Sequence, residues 1–160
     1  MRVRHRVVLV ATATIAISID FVSKIWASTA LAERSQKIGS ITLRLVHNHG
    51  VVFGIGAYLP AAAITVLTAS IAAAVAFAAW RGSVRPPLAA GLVIGGAFAN
   101  VADRLTAGSV IDFISIGRWP IFNFADIFII AGLLLLIFRP NVIEPAPTEA
   151  GVRSSARAGE

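Results

Sequence analysis

The chain carries four aspartates, Asp20, Asp103, Asp112 and Asp126, and each lies in or beside an apolar stretch. Two of them close matching units, Asn100-Val-Ala-Asp103 and Asn123-Phe-Ala-Asp126. A carboxylate near hydrocarbon is costly, by roughly 2.5–3.5 kcal/mol at the centre of a membrane helix. A chain that tolerates this several times uses those groups, and its function is read from where the acids meet. Two carboxylates held close cannot both ionise cheaply, so one keeps a proton at neutral pH. The ionised member can take a proton from water. The protonated member can polarise a carbonyl and later protonate a leaving amine. Such a pair requires no metal and no cofactor. These residues alone do not say which two of the four would form it.

The elements that must position the acids are membrane helices. The 160 residues are 57% hydrophobic with a mean hydropathy of +0.81, too apolar for an ordinary soluble domain and typical of a small single-bundle membrane protein. Four apolar spans are visible, at about 7–26, 59–80, 87–102 and 119–138, each near the roughly 20 residues that a spanning helix needs, the third at the low end. Arg2, Arg4 and Arg6 precede the first span, Arg81 and Arg85 separate the second from the third, and Arg139, Arg153 and Arg157 follow the fourth. The positive-inside rule then puts these regions and both termini in the cytoplasm. The same arginines explain the net charge of +6. They sit at span ends without an aromatic-interleaved patch, so nucleic acid is not an expected partner. The absence of cysteine excludes disulfides and thiolate chemistry. Residues 1–140 read as one membrane-embedded domain, and the Pro-, Ala-, Ser- and Arg-rich stretch 141–160 as a disordered cytoplasmic tail. Ala30-Leu31-Ala32 after an apolar run is compatible with a cleaved leader, but Asp20 and Lys24 inside that run argue against cleavage.

Val7 to Asp20, Pro87 to Asn100 and Asp126 to Arg139 are each thirteen residue steps. At 1.5 Å per residue each polar group sits about 20 Å above the inner boundary, hence about 10 Å below the outer one in a 30 Å core. Three helices therefore deliver polar groups to one layer, which suggests a shared site opening outward. Within it Asn100 and Asp103, and Asn123 and Asp126, are spaced i, i+3 on a helix face, and Asp20 and Lys24 are spaced i, i+4 in the favourable order. Gly91, Gly95 and Gly96 would let the third span pack closely. In the first outer connection, Ile41–Val46 alternates in the manner of a strand, and Gly50, Gly54 and Gly56 break the stretch after it. A small sheet on the outer membrane surface is expected there. Trp26, Trp80 and Trp119 end spans and read as interfacial anchors.

Five blocks in order resemble the lipoprotein signal peptidases (signal peptidase II). They are Asp20-Phe-Val-Ser-Lys24, Asn48-His-Gly-Val-Val-Phe53, Gly95-Gly-Ala-Phe-Ala-Asn-Val-Ala-Asp-Arg104, Val110-Ile-Asp-Phe113 and Phe122-Asn-Phe-Ala-Asp126. Together they cover the chain from about Val7 to Phe138. Ala99 stands where the family usually has glycine and Val52 where it usually has alanine, small exchanges that are expected to alter packing and leave the chemistry intact. The resemblance implies an intramembrane aspartic protease of four transmembrane helices with a small extracytoplasmic β-sheet. It would remove the signal peptide of prolipoproteins just before a diacylglyceryl-modified cysteine, in the bacterial cytoplasmic membrane and without metal or cofactor; the sequence says little about oligomeric state, and a monomer is the default expectation. It names Asp112 and Asp126 as the catalytic pair. Asp20, Lys24, Asn48, Gly50, Asn100, Asp103, Arg104 and Asn123 would bind substrate or support the site, and the connection that holds Gly50 would clamp substrate over the pair.

Blander roles stand beside these. Asp112 falls in a loop and could be a turn residue. Asp103 could pair with an arginine or cap a helix, and Lys24 could snorkel to the interface. The three asparagines could serve only local bonding, and Arg104 could hold either substrate backbone or Asp103. His47 and His49 lack a third ligand for a metal. A small proton-coupled transporter would also bury acids, but nearer mid-membrane and with repeat symmetry. A metal-dependent lipid enzyme would need clustered carboxylates, and these are dispersed among separate motifs.

Overall fold

The computed structural model describes residues 2–50 and 61–138. Among the described residues there are seven elements, in order: α1 (Arg2–Ala30), β1 (Gln36–Ile38), β2 (Ile41–Asn48), α2 (Ala61–Trp80), α3 (Pro87–Ala107), β3 (Val110–Ile116) and α4 (Phe124–Ile137). The helices α1, α2 and α3 are each long and apolar enough to cross a membrane. Val52, Gly54, Gly56, the start of the second expected span and the 141–160 tail lie outside the described residues.

α3 is the central helix and packs against α1, α2 and α4. Its glycines make this possible. A methyl group on Gly91 would stand 2.7 Å from Cβ of Thr12 and 2.8 Å from the Leu9 carbonyl, and one on Gly95 would stand 2.7 Å from the Ala13 carbonyl, both across the α1 contact. Gly96 faces the α4 backbone at Ala125 in the same way. Lipid is as apolar as leucine, so close van der Waals contact rather than burial of oily surface holds such helices together. The outward faces accordingly keep residues such as Val7, Phe21, Phe77 and Leu134 exposed.

Two apolar clusters brace the ends. Leu9, Ala79 and Ala90 tie α1, α2 and α3 together at one end. At the other, Ala27, Leu31 and Phe113 are packed among Leu43, Ile111 and Phe124. That second cluster seats a three-stranded antiparallel sheet, ordered β1-β2-β3, where α1 and α3 finish and α4 begins. Ile41 pairs with Ile116 and Asn48 with Val110, with a register shift between Leu43 and Val46.

The structure corrects three expectations. Asp112 is in a strand, not a loop; the small sheet expected around Ile41–Val46 is present, with β1 and β3 on either side of that strand. The fourth helix does not begin at Trp119: it spans 14 residues, about 21 Å of rise. Phe122 instead runs extended and bridges β3, donating its N–H to the Ile114 carbonyl at 3.0 Å and accepting from Ile114 N–H at 2.9 Å. These bonds satisfy backbone groups that have no helical partner, the condition for irregular backbone at membrane depth. Finally, Asn123 and Asp126 do not share a helix face, because Asn123 is the N-cap of α4.

Candidate active site

The site forms where α4 starts. Asn123 Oδ1 accepts the N–H of Asp126 at 3.0 Å, and Asp126 Oδ2 accepts the N–H of Asn123 at 3.2 Å, a reciprocal capping box. The cap has a consequence beyond the helix. With its oxygen committed to Asp126, the Asn123 side chain must turn its NH2 group the other way. There it donates to Asp112 Oδ1 at 2.7 Å and to Asn100 Oδ1 at 3.2 Å. Asn123 is fully buried, and its side-chain donors and acceptor are all used.

Asn100, on α3, has its own orientation enforced. Its oxygen receives Lys24 Nζ at 3.2 Å as well as Asn123, so its nitrogen faces Asp126 and donates to Oδ1 at 2.9 Å. Asn48, at the end of β2, completes the set by donating to Asp112 Oδ2 at 2.8 Å. Asn48 is itself held by the N–H of Gly50 on its oxygen at 2.9 Å, and Arg104 donates to the Gly50 carbonyl at 3.3 Å.

The four aspartates thus divide into two kinds. Asp20 and Asp103 both pair with Lys24, the second at 2.8 Å. Lys24 is buried rather than snorkelling, with a relative exposure of 3%. Asp20 also reaches across to α4, where its Oδ1 accepts the N–H of Ala125 at 2.8 Å, and Asp103 accepts the N–H of Ile111 at the longer distance of 3.5 Å. Among the described residues Asp112 and Asp126 join no ion pair. Every one of their four oxygens instead receives one N–H, from Asn48, Asn123 or Asn100. A carboxylate oxygen accepts more than one bond, so each keeps capacity for a further proton donor. Burial pushes the Asp112 carboxyl up from its ordinary 3.8 to about 6, and the charge of Asp126 adds to this, while the Asn48 and Asn123 bonds oppose it.

All ten residues singled out from the sequence therefore fall in one connected region. The asparagines, equally suited by type to local bonding, are its connectors. An apolar groove of about 310 Å3 runs along α4 past Trp119, Phe122, Ile127, Ile130 and Leu134, with Asp126 in its wall. That groove had no signal in the sequence beyond apolar residues at helical spacing. Of the expected anchors, Trp26 packs edge-on to Phe113 with ring centroids 6.2 Å apart, and Arg6 lies over Trp80 at 4.5 Å.

Comparison with known proteins agrees with this architecture. A solved structure described as a bacterial membrane enzyme superposes with a TM-score of 0.72 over 95% of this chain and 91% of its own, at 22% identity. That likeness speaks for the fold. A lipoprotein signal peptidase of Rhodococcus jostii is 34% identical over 93% of this chain and 80% of its own length. Another, from Rhizorhabdus wittichii, is 37% identical over 87% of this chain and 88% of its own. The sequence model described as signal peptidase (SPase) II matches residues 12–140, and the chain belongs to the signal peptidase II family.

Proposed function

We propose that the chain is an aspartic endopeptidase that removes the signal peptide of prolipoproteins, with Asp112 and Asp126 as its catalytic pair. The observation that carries the assignment is the division of the aspartates. Asp20 and Asp103 are ion-paired with Lys24, whereas Asp112 and Asp126 are held by amide donors on either side of the same residue, Asn123. Amides orient a carboxylate without cancelling its charge, which leaves it available to exchange a proton.

In the reaction the ionised carboxylate takes a proton from water as the water oxygen attacks the scissile carbonyl. The protonated carboxyl polarises that carbonyl, then gives its proton to the nitrogen as the C–N bond breaks. The products are the carboxyl terminus of the signal peptide and the free amine of the following residue. Asn48, Asn100 and Asn123 hold the pair, and Arg104 and Gly50 place the segment of backbone beside it. Asp20, Lys24 and Asp103 secure the bundle beneath.

The residue after the cut is a diacylglyceryl-modified cysteine in this reading. Apolar substrate enters sideways from the bilayer of the bacterial cytoplasmic membrane, and the groove wall that contains Asp126 supports such an approach. Arg4, Arg6, Arg81 and Arg85 lie together at the end remote from the site, which supports cytoplasmic termini and a site near the extracytoplasmic face. The working unit is a monomer.

The test is cleavage of a diacylglyceryl-modified prolipoprotein by the purified protein with chelator present. Asp112→Asn and Asp126→Asn are each expected to abolish it while remaining folded. Activity surviving either substitution would transfer the chemistry to Asp20 or Asp103.

A further inference from the structure

Lys24 is not adjacent to either proposed catalytic carboxylate, yet among the described residues it is the one lysine or arginine that is fully buried. Its ammonium has three N–H groups. Three acceptors meet them: Asp20 Oδ2, Asp103 Oδ2 at 2.8 Å and Asn100 Oδ1 at 3.2 Å. One carboxylate would neutralise a lysine and two exceed its charge, so the third contact asks for a reason.

The reason is the polarity of the Asn100 amide. If the amide were turned over, its NH2 would face the ammonium and the Asn123 NH2, and its oxygen would face Asp126 Oδ1. That arrangement sets donor against donor and acceptor against acceptor at all three contacts. Lys24 makes the error most expensive, because its donor is charged and buried. The amide then delivers an N–H to Asp126, at 2.9 Å.

We propose that Lys24 is a positioning residue of the reaction, which acts through Asn100 to keep an N–H aimed at Asp126. This rests on Asp126 being one of the catalytic pair. A lysine that only pinned α1 to α3 would need Asp103 alone. A lysine that polarises Asn100 also influences how readily the pair gives up its proton. Among the described residues the charged groups around the pair are Lys24 and Asp20 from α1, Asp103 and Arg104 from α3, and the two carboxylates themselves, and Lys24 is the fully buried positive one. Its loss removes both a charge and an orientation that favour the ionised form.

The test uses full-length protein in detergent with the modified prolipoprotein substrate. Lys24→Met is compared with the charge-balanced double variant Lys24→Met, Asp103→Asn. In both, kcat is expected to fall about 10-fold to 100-fold, the loss usual when a group that orients a working ligand is removed. KM should stay within about threefold, and the acidic limb of the pH–rate profile should move to higher pH. A folded variant with the kcat and acidic limb of the wild type would overturn the proposal. Should both fail to fold, Asn100→Ser keeps the Lys24 ion pairs and removes the N–H to Asp126. It is expected to show a loss in the same range and a smaller shift in the same direction, because the Lys24 charge remains, and unchanged activity there would overturn the proposal equally. Asp126→Asn serves as the reference: if that variant still cleaves, the catalytic assignment fails, whereas an inactive Asp126→Asn beside unaffected Lys24 variants sinks only the role of Lys24.

Discussion

Asp20 and Ala125 are 105 positions apart in the chain and joined by a hydrogen bond of 2.8 Å, from the backbone of α4 to a carboxylate of α1. The first N–H groups of a helix have no partner within it, and the positive end of the helix dipole favours an anion there. Asp20 supplies that anion from another helix, while Asn123 serves the N–H of Asp126. The helix that holds Asp126 is therefore capped twice, once by its own lead-in and once by α1.

Removing the second cap should unfasten α4. Asp20→Ala leaves the Ala125 N–H unpaired and strips Lys24 of one of two anions. Breaking a buried pair costs about 3–5 kcal/mol, so a melting midpoint lowered by many degrees is expected, with activity lost alongside. Asp20→Asn keeps an oxygen for Ala125 and should lose less. Equal midpoints for the two variants would show that the α4 contact contributes nothing.

Capping and chemistry can be separated at Asn123. Serine is about as good an N-cap as asparagine, but it cannot donate to Asp112 and Asn100 at once. Asn123→Ser is expected to retain stability to within about 1–3 kcal/mol, the order of one buried partner left without its bond. Its turnover should drop by about 100-fold, since the shared donor that orients the pair is gone. A Ser variant with wild-type turnover would mean that the link to Asp112 has no catalytic weight.

How much of this was readable beforehand differs by element. The helices α1, α2 and α3 were legible, because unbroken apolar runs of membrane length have few alternatives. So was the shared layer of Asp20, Asn100 and Asp126, since rise per residue converts position into depth. The strand β3 was not, because Val110–Ile116 carries apolar residues on both faces and its pairing partner β2 lies far earlier in the chain, Asn48 opposite Val110 and Ile41 opposite Ile116. The start of α4 was missed for a different reason. Asn-x-x-Asp is a capping-box pattern, yet Asn100–Asp103 has the same pattern in mid-helix. Only the context of Pro120, three residues before Asn123, separates a cap from a shared face. Hydropathy also cannot tell an inward lysine from a snorkelling one, so the burial of Lys24 required the structure.

The raised Asp112 carboxyl has a signature in stability. It binds its proton more tightly in the folded protein, near 6, than at its ordinary 3.8. Between those values the folded state holds more protons than the unfolded one, so stability falls as pH rises and levels off above about 6. The difference of about two units corresponds to at most ~3 kcal/mol. Comparing the wild type with Asp112→Asn between pH 4 and pH 7 isolates this slope, whatever constant offset the substitution brings. The variant is expected to lack that part of the decline. Parallel curves would place the ordinary value on Asp112.

The close approach of α1 and α3 is the last support of the site, and it can be tested without touching a polar residue. A Cβ on Gly95 would lie 2.7 Å from the Ala13 carbonyl and 2.9 Å from Cβ of Ala16, one turn before Asp20. The carbonyl belongs to a helix backbone and cannot rotate away, so even Gly95→Ala must push the helices apart. Overpacking of this kind costs about 1–3 kcal/mol. The separation would also lengthen the bonds from Lys24 to Asn100 and Asp103, which cross the same contact. Gly95→Ala is therefore expected to lower both melting midpoint and kcat. Gly82→Ala, at a turn with nothing within 4 Å of the new methyl group but with φ of +83°, should lower the midpoint through backbone strain and leave kcat unchanged. If Gly95→Ala lost stability but kept full turnover, the helix spacing would be a matter of assembly and not of geometry at the site.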